Sequence, residues 1–327
     1  MIDWADFCIN TDPWQGEVPK PASSMIYTSG TTGNPKGVLR LGKVKPNKFG
    51  YNTIFDKNVR MLLPTPAYHS APNRLLKLPK EVRSKYDPSS LEHIVCAGAP
   101  FPQDIKTAMI DWWGPVLFEF YGSTETSALT YCNSHEALEK PGTVGRAVED
   151  AVIKIFDADG QQCPPYAKGE IFGKLKELPD FTYLKRPKDR LAVEKDGLIT
   201  SGDIGYFDDD GYLFLSDRKN DMVISGGVNI YPAHIEAALF GFDGILDCAV
   251  FGVPHPDMGE ALVAAIQMEP GRVLDEDALR AYLGKKIAKY MIPTQIFEDP
   301  NLPRDDSGKI FKRKLRDAYW NKSGRNI

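Results

Sequence analysis

The stretch Tyr27-Thr28-Ser29-Gly30-Thr31-Thr32-Gly33-Asn34-Pro35-Lys36-Gly37 restricts this chain more than any other. It follows the apolar run Ser24–Tyr27, which reads as a strand, and it holds four aliphatic hydroxyls, three glycines and one lysine. Glycines let backbone N–H groups approach an anion, hydroxyls donate further hydrogen bonds, and the ammonium adds a full charge. The segment reads as a cradle for a polyphosphate. It is not a Walker A loop, because Pro35 stands where glycine should precede the lysine and Gly37 stands where Ser or Thr would hold magnesium. A flexible surface loop is the rival reading for a shorter Gly/Thr stretch, and the number of such residues in order speaks against it.

With 327 residues the chain is long enough for two domains, since one core rarely grows beyond about 250–300 residues. Glu92–Cys96 and Pro115–Phe120 read as strands that stop at the turns Ala97-Gly98-Ala99-Pro100 and Tyr121-Gly122-Ser123, with helical patterns between them. That texture predicts an α/β sheet with its working loops at the strand ends. From Ala151 the pattern turns antiparallel: Ala151–Phe156, Gly169–Phe172, then Tyr206-Phe207 and Tyr212–Leu215 around an Asp-Asp-Asp-Gly turn. A new unit follows Asp217, with Pro232 opening a helix, strands over Asp247–Gly252 and Ala261–Met268, and an amphipathic helix over Glu276–Met291. The expected fold class is α/β: a large N-terminal α/β domain with a following antiparallel β subdomain over 1–217, and a small α+β C-terminal domain over 218–327.

Charge narrows the function. Forty Lys and Arg against 44 Asp and Glu leave a net charge of -4, and residues 218–327 carry 15 of each sign. A dedicated nucleic-acid binder would show a strongly basic face. The basic stretch Lys309–Arg325 reads as a solvated surface. No run of 18 or more apolar residues suits a membrane span, and the N-terminus lacks a basic stretch followed by an apolar one. Five scattered cysteines without a Cys-x-x-Cys pair indicate neither zinc nor a disulfide framework, which makes a reducing cytoplasm the expected setting.

Further segments continue the pattern of the cradle in order: AYHSAP around His69, AGAP at 97–100, YGSTE at 121–125, TSGD at 200–203, SDRKNDMVISGGVNIYPAHIE at 216–236 and PRDDSGKIFKRKLRD at 303–317. Together they resemble the adenylate-forming superfamily, which includes acyl-CoA synthetases, the adenylation domains of peptide synthetases and firefly luciferase. The resemblance covers about residues 23 to 318. It implies ATP, Mg2+ and coenzyme A as the small molecules bound, beside a carboxylic acid, and a C-terminal domain that rotates between two poses. It makes Thr28, Ser29, Gly30, Thr31, Thr32, Gly33 and Lys36 the phosphate loop. Gly98, Ala99 and Pro100 form a base-binding wall, Tyr121 offers its face to adenine beside Gly122, and Thr124 donates to the α-phosphate. Glu125 suits magnesium as a hard oxygen ligand. Asp203 accepts from the ribose hydroxyls with Arg218 behind it, and His69 stands near the substrate carboxylate.

Lys309 is similar to the family lysine that bridges the attacking carboxylate and the α-phosphate, Lys219 matches the hinge, and Gly226 and Gly227 line the thiol tunnel of the second pose. The bland alternatives are a Gly-Gly hairpin for the last pair and a structural role for Glu236. Lys312, Arg313, Lys314 and Arg316 read as ordinary surface. The short SGGVNIYP and LPRDDSGKI segments favour a stand-alone acid–CoA ligase over an amide- or lactone-forming relative or an inactive nucleotide-binding fragment. The acid itself stays open among fatty, aromatic and steroid-like classes, as does oligomeric state, a homodimer included.

The family's chains are longer. Its region ahead of the phosphate loop is missing here, Asn73 runs straight into Arg74 where relatives carry several dozen pocket-lining residues, and Leu39–Phe49 looks shortened. Either the sequence is a longer protein with segments left out, the favoured reading, or it is a deleted variant with an impaired acid pocket.

Overall fold

The computed structural model of the chain describes residues 25–28, 36–42, 61–62, 75–76, 78–98, 101–218, 221–304 and 310–323. Strands β1 (Met25–Thr28) and β2 (Lys36–Arg40) pair antiparallel with Thr28 opposite Lys36, so the two ends of the cradle segment are held side by side. The sequence places the first strand in the α/β sheet; in the structure it belongs to a separate three-stranded sheet.

Strands β3 (Met61–Leu62), β4 (His93–Ala97) and β5 (Leu117–Ser123) run parallel, with helix α1 (Gln103–Trp113) as the crossover between the last two. Ile105, Met109 and Ile110 recur at helical spacing and bury one face of α1 against Leu117 and Cys132. Strand β6 (Ser127–Asn133) folds back antiparallel on β5. Helix α2 (Ser134–Glu139) starts on a capping box, in which the Asn133 side chain accepts from the Glu136 N–H and the Glu136 carboxylate accepts from the Asn133 N–H.

The chain continues through β7 (Thr143–Ala147), β8 (Ala151–Phe156), β9 (Gly169–Leu175), β10 (Phe181–Tyr183), α3 (Pro187–Ala192), β11 (Glu194–Lys195), β12 (Leu198–Phe207) and β13 (Tyr212–Arg218). The order β3-β4-β5-β6-β7-β13-β12-β9-β8, with β11 on β12, makes one ten-stranded sheet, so the parallel and antiparallel parts are continuous. The expected hairpin forms between β12 and β13, where the Asp208 carboxylate accepts from the Asp210 and Tyr212 N–H groups. Strand β10 leaves this sheet and pairs with β2.

The change of sheet falls between Arg218 and Val223. Strands β14 (Val223–Ser225), β15 (Val228–Ile230), β16 (Ile245–His255), β17 (Gly259–Met268) and β18 (Gln295–Glu298) form a third sheet, accompanied by α4 (Pro232–Phe240), α5 (Glu276–Leu283) and α6 (Lys312–Ser323). Alternation along β16 and β17 gives this unit two cores. Val250, Ala264 and Ile266 face Ile235, Leu239 and Leu279, while Phe251, Val263 and Ala265 face Leu302, Leu315 and Tyr319.

Two expectations are corrected here. The helix predicted over Glu276–Met291 ends at Leu283, where Gly284, a poor helix former, takes the C-cap, and only a 3-10 turn at Lys289–Met291 follows. The basic tail is not merely a solvated surface. Lys312 pairs with Glu236 at 2.8 Å, and the indole of Trp320 donates to the Gly252 carbonyl at 3.1 Å. Burial works against the Lys312 ammonium, but Glu236, Asp221 and Asp217 outweigh it and hold its pKa up.

Among the described residues no helix is long and apolar enough to cross a membrane. Cys96, Cys132 and Cys248 are buried thiols. Burial pushes Cys96 and Cys132 to about 12, and Cys248 well above its ordinary value. Because the thiolate is the reactive form, a disulfide reagent at pH 8 is expected to leave all three unmodified until the chain is unfolded. Peptide mapping that finds any of them labelled in the native protein contradicts this burial.

Candidate active site

The Tyr121-Gly122-Ser123 segment was expected to be a turn. It is instead the end of β5, and the turn comes next, at Thr124–Thr126. Thr126 closes it, its hydroxyl accepting from the Ser123 N–H at 3.0 Å while its own N–H donates to the Ser123 hydroxyl at 3.2 Å. Thr124 and Glu125 are thereby presented, half-buried, at the tip of the β5–β6 hairpin. Gly122 is required by close approach: a Cβ there would lie 1.9 Å from the Ser127 carbonyl oxygen.

Two side chains bind this tip to the sheet of β1, β2 and β10. Arg40 on β2 donates from Nη2 to the Thr124 carbonyl at 2.6 Å and from Nη1 to the Pro179 carbonyl at 3.2 Å. Tyr183 on β10 donates its hydroxyl to Glu125 Oε1 at 2.8 Å. Burial, then the Glu125 carboxylate, pushes the Tyr183 phenol up, so it stays a donor. Lys36 lies beside the same tyrosine, 4.9 Å from the ring centroid, and pairs with Asp189 at 3.3 Å. Thr28, Lys36, Thr124 and Glu125 are therefore drawn to one place by residues that sequence reasoning missed. Arg40 sits at alternating spacing from Lys36, a signal too weak to use, and nothing in the sequence brings Tyr183 to Glu125.

A second cluster lies deeper. The Tyr121 hydroxyl donates to Asp203 Oδ2 at 3.0 Å, and the Ser201 hydroxyl donates to the same oxygen at 2.7 Å. Arg218 stands directly across the ladder from Asp203, in register, on β13. Tyr121 is 8% exposed and packs with Leu129, Val144 and Leu213. What Tyr121 demonstrably does is hold the carboxylate of Asp203.

Gly98 follows the last residue of β4 with φ 85°. Gly226 and Gly227 make the two-residue tip of the β14–β15 hairpin, both with positive φ, which suits a primed turn. Glu236 proves structural, accepting from the Val250 N–H at 2.7 Å besides pairing with Lys312. Ser29, Gly30, Thr31, Thr32, Gly33, His69, Ala99, Pro100, Lys219 and Lys309 lie outside the described residues, as does the Asn73–Arg74 junction. Among the described residues no group of three or more His, Cys, Asp or Glu could hold a metal. Among the described residues, the Glu125 carboxylate is held by the Tyr183 hydroxyl, and Lys36, beside the same tyrosine, is paired with Asp189.

The AMP-binding enzyme family matches residues 43–174, and the AMP-binding enzyme C-terminal domain matches residues 234–309. A feruloyl-CoA synthase from an Amycolatopsis species is 32% identical over 343 positions, covering 90% of this chain and 69% of that protein. A long-chain-fatty-acid–CoA ligase from Bacillus subtilis is 33% identical over 70% of this chain and 41% of its own length. Among solved structures, o-succinylbenzoate CoA synthetase (MenE) from Bacillus subtilis with its acyl-adenylate superposes with a TM-score of 0.75 at 28% identity, over 90% of this chain and 69% of that one. The amide bond synthetase McbA from Marinactinospora thermotolerans gives a TM-score of 0.69 at 29% identity; the chain spans only 52% of its length.

The chain belongs to the family of AMP-binding, adenylate-forming enzymes and shares their two-domain architecture. Within that family its relatives put it in the acid–CoA ligase branch, the AMP-forming acid–thiol ligases. The match to feruloyl-CoA synthase runs over more positions than the chain's 327 residues, so that relative holds residues inside the matched span that this chain lacks.

Proposed function

We propose that this chain joins a carboxylic acid to coenzyme A in two steps. A carboxylate oxygen attacks the α-phosphorus of ATP, the bond to pyrophosphate breaks, and acyl-AMP forms. The sulfur of coenzyme A then attacks the acyl carbon, its proton is lost, and AMP leaves with the former carboxylate oxygen. Charge gathers on phosphate oxygens in the first step, so positioning and electrostatic stabilisation supply most of the acceleration. The observation that carries this reading is the tie of the Thr124–Glu125 turn to the phosphate-loop sheet through Arg40 and Tyr183.

In this reading residues 28–33 and Lys36 cradle the polyphosphate, Thr124 donates to the α-phosphate, and Asp203 accepts from the ribose with Arg218 behind it. Magnesium carried by the nucleotide supplies charge neutralisation and needs only one or two protein carboxylates, a requirement Glu125 fits. Lys309 acts from the C-terminal domain, which is taken to begin at 218 and to turn about Lys219; the change of sheet after Arg218 supports that boundary. His69 serves the substrate carboxylate, Gly98, Ala99 and Pro100 the base, and Gly226 and Gly227 the thiol arm. Scattered cysteines without a Cys-x-x-Cys pair suit a reducing cytoplasm.

Asp203→Ala is expected to weaken ATP binding roughly tenfold or more, since a half-buried carboxylate acceptor held by the Tyr121 and Ser201 hydroxyls is lost to the ribose; unchanged affinity by calorimetry contradicts the ribose role. AMP release that depends on both an acid and coenzyme A, measured over fatty and aromatic acids, tests the thioester step. Release driven by an amine and indifferent to coenzyme A would instead assign the chain to the amide-forming relatives.

A further inference from the structure

Lys106 on α1 and Glu119 on β5 form an ion pair inside the large sheet, with Nζ and Oε2 2.6 Å apart and the side chains 2% and 5% exposed. None of the roles assigned above uses it. Burial pushes the Glu119 carboxyl up against the pull of the neighbouring ammonium. Two apolar side chains of similar volume often serve stability as well as such a pair or better, so its presence calls for another reason.

A second partner of the ammonium supplies one. Lys106 Nζ also approaches the Thr143 carbonyl of β7 at 3.3 Å. The Thr143 hydroxyl donates to the Leu213 carbonyl at 2.8 Å and accepts from the Gly145 N–H at 3.0 Å. Leu213 sits where the β7–β13 ladder shifts register, between Tyr212 and Phe214. One ammonium thus grips β5 directly and, through Thr143, the path β7–β13–β12. Both routes end at the same contact. Glu119 is two residues before Tyr121 on the same side of β5, Asp203 lies on β12, and the Tyr121 hydroxyl closes the circuit on Asp203 at 3.0 Å. Immediately after Tyr121 the β5–β6 ladder also shifts register, so without an anchor upstream this end of β5 could settle in more than one way.

The geometry points to the Lys106–Glu119 pair as a positioning device for the nucleotide site: it sets β5 against β12 and β13 so that Tyr121 aims the Asp203 carboxylate. This inference rests on the nucleotide-site reading above. The test is calorimetric titration of the whole chain with ATP, for wild type, Lys106→Met/Glu119→Leu, Tyr121→Phe and the triple variant. The double variant is expected to melt at or above the wild-type temperature while its ATP affinity falls roughly tenfold, as small misplacements of a binding group do. In the Tyr121→Phe background the same pair of changes is expected to add less than about twofold, because the contact they act through is already gone.

Wild-type affinity in the double variant, or a tenfold loss that persists without the Tyr121 hydroxyl, overturns the inference while leaving the nucleotide site standing. A wild-type chain that fails to bind ATP overturns both. Glu119→Gln keeps the shape and a hydrogen bond to Lys106 and is measured alongside in case the double variant does not fold. A loss of about threefold supports the device, since charge-assisted bonds exceed neutral ones, and unchanged affinity overturns it.

Discussion

Lys309→Ala is expected to lower acyl-adenylate formation by about 10²–10³-fold, the usual effect of removing one transition-state donor from an enclosed site, while thioester formation from supplied acyl-AMP stays near the wild-type rate. The asymmetry follows from where charge develops. In the first step a carboxylate and a phosphate, both anionic, must meet, and a compact ammonium between them offsets their repulsion. In the second step the electrophile is already activated and the family's small domain has turned away. The segment that bears Lys309 is bounded by fixed points: Arg304 pairs with Ile310 across a β-bridge, Arg304 reaches Asp247 at 2.6 Å, and Lys312 holds Glu236. A stopped assay of pyrophosphate release beside a CoA-dependent assay on supplied acyl-AMP checks the split. Equal loss in both steps contradicts a domain that visits the site only for adenylation.

Lys106→Met alone is expected to destabilise the chain by about 3–5 kcal/mol, because it strands a buried carboxylate. The pH dependence tests this explanation. With its ammonium partner removed, the Glu119 carboxyl, already raised by burial, moves further above its unfolded value. The folded variant then binds the proton more tightly than the unfolded chain, so its stability rises as pH falls and drops as pH climbs past the unfolded pKa. Denaturant melts are therefore expected to show the gap between Lys106→Met and wild type narrowing from pH 8 toward pH 5. A gap that is constant with pH contradicts an uncompensated carboxylate as the cause.

The candidate site is read from the sequence as residue types in order, and hardly at all as contacts. The cradle at 28–36, the Thr124–Glu125 pair and Asp203 are local chemical signals, because hydroxyls, glycines and carboxylates at fixed spacing keep their meaning without a partner. The Asp-Asp-Asp-Gly hairpin and the Pro232 helix start were read for the same reason, and both form. The misreadings share the opposite cause. The first strand, β1, pairs with β2, which in turn pairs with β10, a strand far along the chain. The anchoring of the basic tail depends on Glu236 and Gly252. The long amphipathic pattern after Glu276 obscured Gly284 as a stop, since hydrophobic spacing continues past a residue that the helix itself does not.

Exchange of labelled pyrophosphate into ATP bears most directly on the central claim, because it requires a nucleotide, an acid and a reversible adenylation in one pocket. The chain is expected to catalyse this exchange with at least one carboxylic acid, without coenzyme A, and to need roughly tenfold more ATP for it in Asp203→Ala. Binding of ATP with no exchange for any acid tried, fatty or aromatic, would contradict the account.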